Sequence, residues 1–188
     1  NQDLDLLISQ SKRCSDILKQ ISKNPYTEKE DNFFDKASFK IIVHEVVDSF
    51  KDLSKKKIII NDDEYKKDYL ITKKIEIIYS LKNIIDNALK FSSNKIEIFL
   101  LSNEEQLRIK VEDDGVGFSK QILGFLGDPY INKKDLDKNK EGLGLGIFIA
   151  KVFLERLSAI INFYNLEGKG AVVDISWQKK DLINLKLI

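Results

Sequence analysis

With 188 residues, 43% of them apolar and 32% charged, the chain has the balance of one folded domain plus an extension, large enough to bury a core without metal or disulfide staples. Its net charge of +1 offers no overall field for nucleic acid or an anionic membrane. The single cysteine, Cys14, rules out an intrachain disulfide and suits a reducing compartment.

The longest apolar runs, such as Ile58–Ile60 and Ile96–Leu101, are too short to span a bilayer. No signal peptide is visible at Asn1-Gln2-Asp3-Leu4, and no methionine occurs anywhere, so the chain reads as a piece of a longer protein.

In chain order, Leu4, Leu7, Ile8, Ile17, Leu18 and Ile21 predict an amphipathic helix over 3–22, ending before Asn24-Pro25. Residues 24–37 are polar and read as a linker. Ser38 is placed to cap a helix over Phe39–Leu53, with Ile42, Val43, Val46, Val47 and Phe50 as its buried stripe. Lys57–Asn61 and Tyr69–Ile71 are short strand candidates. Thr72 is expected to cap a long helix over Lys73–Phe91, followed by strands at Lys95–Leu101 and Gln106–Glu112 around the turn Ser102–Glu105. Residues 119–141 lack periodicity and read as a long loop of the kind that is a lid, a binding segment or disordered. A helix over Leu145–Leu157 and strands at Ile160–Asn165 and Ala171–Trp177 close the order. The pattern predicts an α+β fold with a mixed sheet and helices on one face.

Three segments carry chemistry. Asn83 and Asn87 share one face of the long helix, and their side-chain oxygens suit Mg²⁺, with Lys90 a turn further on. An isolated pair of this kind is more often a surface feature, although this helix is strongly apolar. Asp113-Asp114-Gly115-Val116-Gly117 follows a strand. A carboxylate there can accept a hydrogen bond from an exocyclic amine such as that of adenine; the plain alternative is an Asp-Gly turn. Gly142-Leu143-Gly144-Leu145-Gly146 opens a helix and can present backbone N–H groups to phosphate, or can be only a hinge. It is neither a Walker loop nor a dinucleotide fingerprint.

Taken in order, these segments resemble the catalytic domains of sensor histidine kinases, within the superfamily that includes Hsp90, type II topoisomerases and MutL. Asn83–Phe91 resembles the N box, Asp113–Gly117 the first glycine box, Gly142–Gly146 the second, and Gly168-Lys169-Gly170 the last. The resemblance covers about residues 38–178. It implies a two-layer α/β sandwich, the Bergerat fold, preceded by a helix. It also implies ATP and Mg²⁺ as ligands. Asn87 would contact the metal, with Asn83 as a second or water-mediated contact, Lys90 a phosphate, Phe91 the nucleotide, and Asp113 the adenine amino group. Gly115, Gly117, Gly142, Gly144 and Gly146 would line the pocket, and residues 119–141 would form a lid, with Lys133 and Lys134 as candidate phosphate contacts.

Two departures stand out. Ala171 replaces the Ser or Thr that often follows the last glycine box, and the usual lid phenylalanine box has no clear counterpart, Gly127-Asp128-Pro129-Tyr130 standing near its place.

The resemblance also divides the chain: 1–23 as the end of a dimerisation helix, 24–37 as linker, 38–180 as the ATP-binding catalytic domain, and 181–188 as a tail. The expected product is a histidine kinase domain that phosphorylates a histidine outside the chain. The only histidine, His44, is not followed by the proline of the phosphoacceptor motif and reads as a helix residue. Expected partners are the protein's own phosphoacceptor domain, a cognate response regulator and a second copy in a homodimer, with no nucleic acid. The domain is expected to be cytoplasmic, in a parent protein that can be anchored in the inner membrane.

The run Ser11–Leu18 with Asn24-Pro25-Tyr26, together with Gly127–Tyr130 and Gly146–Lys151, resembles the Reg-type redox-responsive sensor kinases. In those a cysteine at the position of Cys14 is implicated in redox control; otherwise Cys14 is an inert small side chain on a helix.

Two alternatives belong to other classes. A degenerate domain acting only by protein interaction would not bind Mg²⁺-ATP. A hydrolase would need the glutamate that Hsp90-like relatives carry where this chain has Asn83, and an amide is no general base.

Overall fold

Alternation along two strands organises the domain. In β4 (Lys95–Ser102) the buried apolar residues are Ile96, Ile98 and Leu100, and in β5 (Gln106–Asp113) they are Leu107, Ile109 and Val111. Successive side chains of a strand point to opposite faces, so these residues form one apolar face that must be covered. The computed structural model describes residues 36–51, 53–127 and 145–183, all within a unit spanning Phe33–Leu185. The expected helix over 3–22, with Cys14, lies outside the described residues, as do Gly142, Gly144, Lys133, Lys134 and the stretch Asp128–Tyr130.

The remaining elements are β1 (Lys36–Ser38), α1 (Phe39–Lys51), β2 (Lys57–Asn61), β3 (Leu70–Thr72), α2 (Ile75–Phe91), α3 (Lys120–Leu123), α4 (Leu145–Arg156), β6 (Ile160–Asn165), β7 (Ala171–Gln178) and α5 (Lys179–Ile183). Five strands form one sheet in the order β2-β4-β5-β7-β6. Only β2–β4 is parallel, because α2 carries the chain from β2 back to the starting edge of β4. The register sets Ile98, Val111, Val173 and Phe163 in one row and Leu100, Ile109, Ile175 and Ile161 in the next. This is the covered face.

On the opposite face, Lys110 pairs with Glu112 at 2.6 Å and Arg108 binds the Asp174 carboxylate. Those pairs give two largely buried carboxylates a cationic partner each. The α+β fold with a mixed, mostly antiparallel sheet and helices on one face is therefore the one expected.

The covering helices follow their apolar periodicity. Ser38 Oγ accepts a hydrogen bond from the Ile41 N–H at 3.2 Å, so it caps α1 as expected. In α2, Ile77, Leu81, Ile84, Ile85, Ala88 and Leu89 are buried, while Lys82, Asp86 and Lys90 are exposed.

Thr72 does not cap α2. It pairs with Lys36 in the small β1–β3 ribbon, and the helix starts after Lys74 without a side-chain cap. Strand pairing claimed the threonine first. The ribbon also draws Lys36 and Ala37 out of the stretch read as linker. At the other end α5 occupies the start of the expected tail, and Leu182 is fully buried.

Candidate functional site

Asp113 continues the row Leu107, Ile109, Val111, so its carboxyl sits on the helix-covered face at the end of the central strand. Oδ1 accepts hydrogen bonds from the N–H groups of Gly115 at 2.8 Å and Ala171 at 3.2 Å. Gly170 N–H donates to the Asp113 carbonyl at 3.1 Å. These bonds fix the plane of the carboxylate, and among the described residues Oδ2 accepts none. Burial pushes the Asp113 pKa above the ordinary carboxylate value, opposed by the amides of Gly115 and Ala171 and by the positive charge of Lys56. Ala171 brings no hydroxyl to the site, but its backbone N–H orients Asp113.

Two glycines are dictated by this packing. A Cβ at Gly115 would collide with the Phe91 carbonyl oxygen, and one at Gly170 would collide with the Asp113 carboxylate and carbonyl. The last turn of α2 and the Asp113–Gly117 loop therefore touch backbone to backbone. Gly117 adopts φ +77° and lies against Asn165.

Asn165 in turn donates from Nδ2 to the Phe118 carbonyl and accepts the Phe118 N–H at Oδ1, both at 2.8 Å. Asp114 points the other way and accepts from the N–H groups of Ser93 at 2.7 Å, Asn94 at 2.9 Å and Lys95 at 3.2 Å. Burial works against the Asp114 charge, but those amides outweigh it and hold its pKa below the usual value.

Asn83 and Asn87 lie on the i, i+4 row that begins at Tyr79, along the edge of the buried stripe, and both are half-buried. Asn83 Nδ2 donates to the Tyr79 carbonyl at 2.8 Å, which leaves Oδ1 as its outward atom. The Asn87 side chain makes no hydrogen bond among the described residues. Lys90 is exposed, with its ammonium 6.0 Å from the centroid of the Phe91 ring.

Helix α4 packs on the same helix. Ser80 and Ala150, both fully buried, allow close approach, and Ser80 Oγ donates to the Ala150 carbonyl at 3.3 Å. Tyr79 meets Phe153 edge-to-face at 5.7 Å. Both contacts seat α4 against the first half of α2. Gly127, at φ +83°, rests on the aliphatic stem of Lys151.

The structure brings Phe91, Asp113 and Gly115 together at one end of the sheet's covered face, with Asn83 and Asn87 further back along α2. His44 lies elsewhere, on α1, with Nε2 3.8 Å from an Asp62 carboxylate that Lys40 holds at 2.6 Å. Pattern reading did not single out Asp114, Asn165 or Lys56. The Asp-Gly step signals a turn, but nothing in the order of residues says which distant amides Asp114 will meet.

Residues 72–181 match the family described as histidine kinase-, DNA gyrase B- and HSP90-like ATPase, and the chain belongs to it. Within that family it is a histidine kinase catalytic domain, of the ATP-binding kind. The chain is 28% identical over 204 aligned residues to the sensor histidine kinase RegB of Cereibacter sphaeroides, covering 96% of this chain and 43% of RegB. It is 28% identical over 102 residues, 54% of this chain and 16% of the relative, to a protein described as a putative sensor histidine kinase, NtrY-like, of Rickettsia conorii. Among solved structures, the Acinetobacter baumannii histidine kinase AdeS superposes with a TM-score of 0.65 at 21% identity, covering 96% of this chain and 84% of that one. The mycobacterial sensor histidine kinase MprB superposes with a TM-score of 0.63 at 12% identity, covering 76% of this chain and 95% of that one. These likenesses show the fold. The chain thus spans less than half the length of RegB. Among the described residues, no helix is long and apolar enough to cross a membrane.

Proposed function

We propose that the domain holds Mg²⁺-ATP between α2, the Asp113–Gly117 loop and the start of α4, and delivers the γ-phosphoryl to a histidine outside this chain. The observation that carries this reading is the Asp113 carboxylate. It is aligned by two backbone N–H groups, with Oδ2 left to accept a hydrogen bond from the adenine amino group.

Phe91 would lie beside the nucleotide and Lys90 would reach a phosphate. Gly115 and Gly117 would admit the base closely, and Gly142, Gly144 and Gly146 would offer N–H groups to phosphate. Asn87 Oδ1 and Asn83 Oδ1 would hold Mg²⁺. They fit a hard cation, since both are oxygen donors on one helix row and the Asn83 amide nitrogen is already engaged by Tyr79. When bound, the metal neutralises phosphate charge. In the transfer, the bond from the γ-phosphorus to the bridging oxygen breaks as a bond to an imidazole nitrogen forms, and ADP leaves. The protein's share is orientation and charge placement rather than covalent chemistry.

For the whole protein we infer a homodimeric sensor kinase whose segment 1–23 ends a dimerisation helix, joined through residues 24–35 to this domain. A cognate response regulator would receive the phosphoryl group. The likeness to RegB over nearly the whole chain supports a redox-regulated role for Cys14, which Cys14→Ser in the full-length kinase tests by its loss of oxidant inhibition.

The nucleotide reading is tested by Asn87→Ala. It predicts at least tenfold weaker Mg²⁺-ATP binding and loss of phosphorylation of a supplied acceptor domain. Unchanged binding and transfer would refute the metal role. A folded chain that binds no Mg²⁺-ATP would instead indicate an interaction module.

A further inference from the structure

Lys56 lies in the loop before β2, and the neighbouring Lys57 N–H donates to the Asn94 carbonyl at 2.9 Å, which sets that loop beside the end of α2. From there Lys56 Nζ donates to two carbonyls, Leu89 and Ser92, each at 2.6 Å. The last carbonyls of a helix have no partner within it, and they carry the negative end of its dipole. An ammonium bound to two of them meets both needs. The buried Ser92 hydroxyl adds a bond to the Leu89 carbonyl at 3.0 Å.

The turn held in this way contains Lys90 and Phe91, and the Phe91 carbonyl oxygen occupies the space that a Cβ on Gly115 would need. The charge of Lys56 also acts on Asp113, where it favours the ionised carboxylate against burial. A single side chain thus binds one side of the candidate pocket and acts on the other by its charge.

We propose that Lys56 is a positioning residue for the nucleotide: through the Leu89 and Ser92 carbonyls it sets the last turn of α2, and with it Lys90 and Phe91, against the Asp113–Gly117 loop. The inference rests on the nucleotide reading of that pocket.

It is tested by titrating Mg²⁺-ATP into the full chain and its variants, with thermal unfolding followed on the same samples. Lys56→Met keeps most of the aliphatic stem and removes the donors and charge. It is expected to weaken binding about tenfold while the protein remains folded. Lys56→Arg, which restores a charged donor, is expected to bind within about twofold of the parent. A merely space-filling lysine would give the opposite order, since methionine fills the same path. Binding by Lys56→Met within twofold of the parent overturns the proposal, as does Lys56→Arg binding no better than Lys56→Met.

If Lys56→Met does not fold, Lys56→Gln, which keeps an amide donor without the charge, is read in its place. A loss of about fivefold or more supports the role, and a smaller loss overturns it. A parent chain that binds no ATP defeats the pocket reading and this inference with it. A parent that binds, with variants that bind equally, defeats the Lys56 role alone.

Discussion

The Asn165 side chain pairs with the backbone of Phe118 as a neighbouring strand would, giving one hydrogen bond and taking another, both at 2.8 Å. This ties the end of the Asp113–Gly117 loop to β6. Asn165→Ala removes both bonds and leaves exposed backbone groups that water can satisfy. We therefore expect a loss of about 1 kcal/mol in stability. The single tryptophan, Trp177, is buried in the core against Phe39, so urea unfolding followed by its fluorescence reads the change. Stability equal to the parent would mean that the pair contributes nothing.

Gly168 and Gly170 belong to the same turn but predict different outcomes. Gly168 has φ +69° with open space around it, whereas a Cβ at Gly170 meets Asp113. Gly168→Ala should cost about 1 kcal/mol of backbone strain and leave ATP affinity within about twofold. Gly170→Ala should displace the Asp113 carboxylate and weaken ATP binding by tenfold or more. Equal affinities for the two variants would separate Asp113 from nucleotide binding.

Asp114 predicts a pH signature. Its folded pKa lies below the ordinary 3.8, so the folded state binds its proton less readily than the unfolded chain does. The stabilisation is complete above the unfolded value and is lost as pH falls through it toward the folded value. Asp114→Asn should therefore be less stable than the parent by about 1 kcal/mol at pH 7, with the partial exposure of the group already discounted. The gap should narrow below about pH 4. Urea midpoints across this range provide the check, and a gap that stays constant from pH 7 to 3 would exclude a charge-dependent role.

Much of the fold could be read from apolar spacing, because α1, α2, β4 and β5 each bury one face and carry its period. What could not be read depends on distant partners. Thr72 has the chemistry of a helix cap, yet β3 pairs it with Lys36. The three residues of β1 are too few to show a period. Asp113, Asn83 and Asn87 stand out because their motif fixes their neighbours. Lys56 does not, since the chain carries 31 lysines and arginines and only folding decides which one reaches the end of α2. The adenine role proposed for Asp113 and the orientation of its carboxylate come from different levels of structure: the first is suggested by the motif, and the second is set by the Gly115 amide in the loop and the Ala171 amide from β7.

If Asp113 reads the adenine amino group, as we propose, a pair of equilibrium titrations, ATP against GTP, on the parent chain and on Asp113→Asn shows it directly. The parent should favour ATP by about tenfold or more, because guanine presents a carbonyl where adenine presents the amine and would face a carboxylate oxygen. In Asp113→Asn, whose amide can also donate, the preference should fall to within about threefold. A variant that keeps the parent's preference for ATP would show that Asp113 does not read the base.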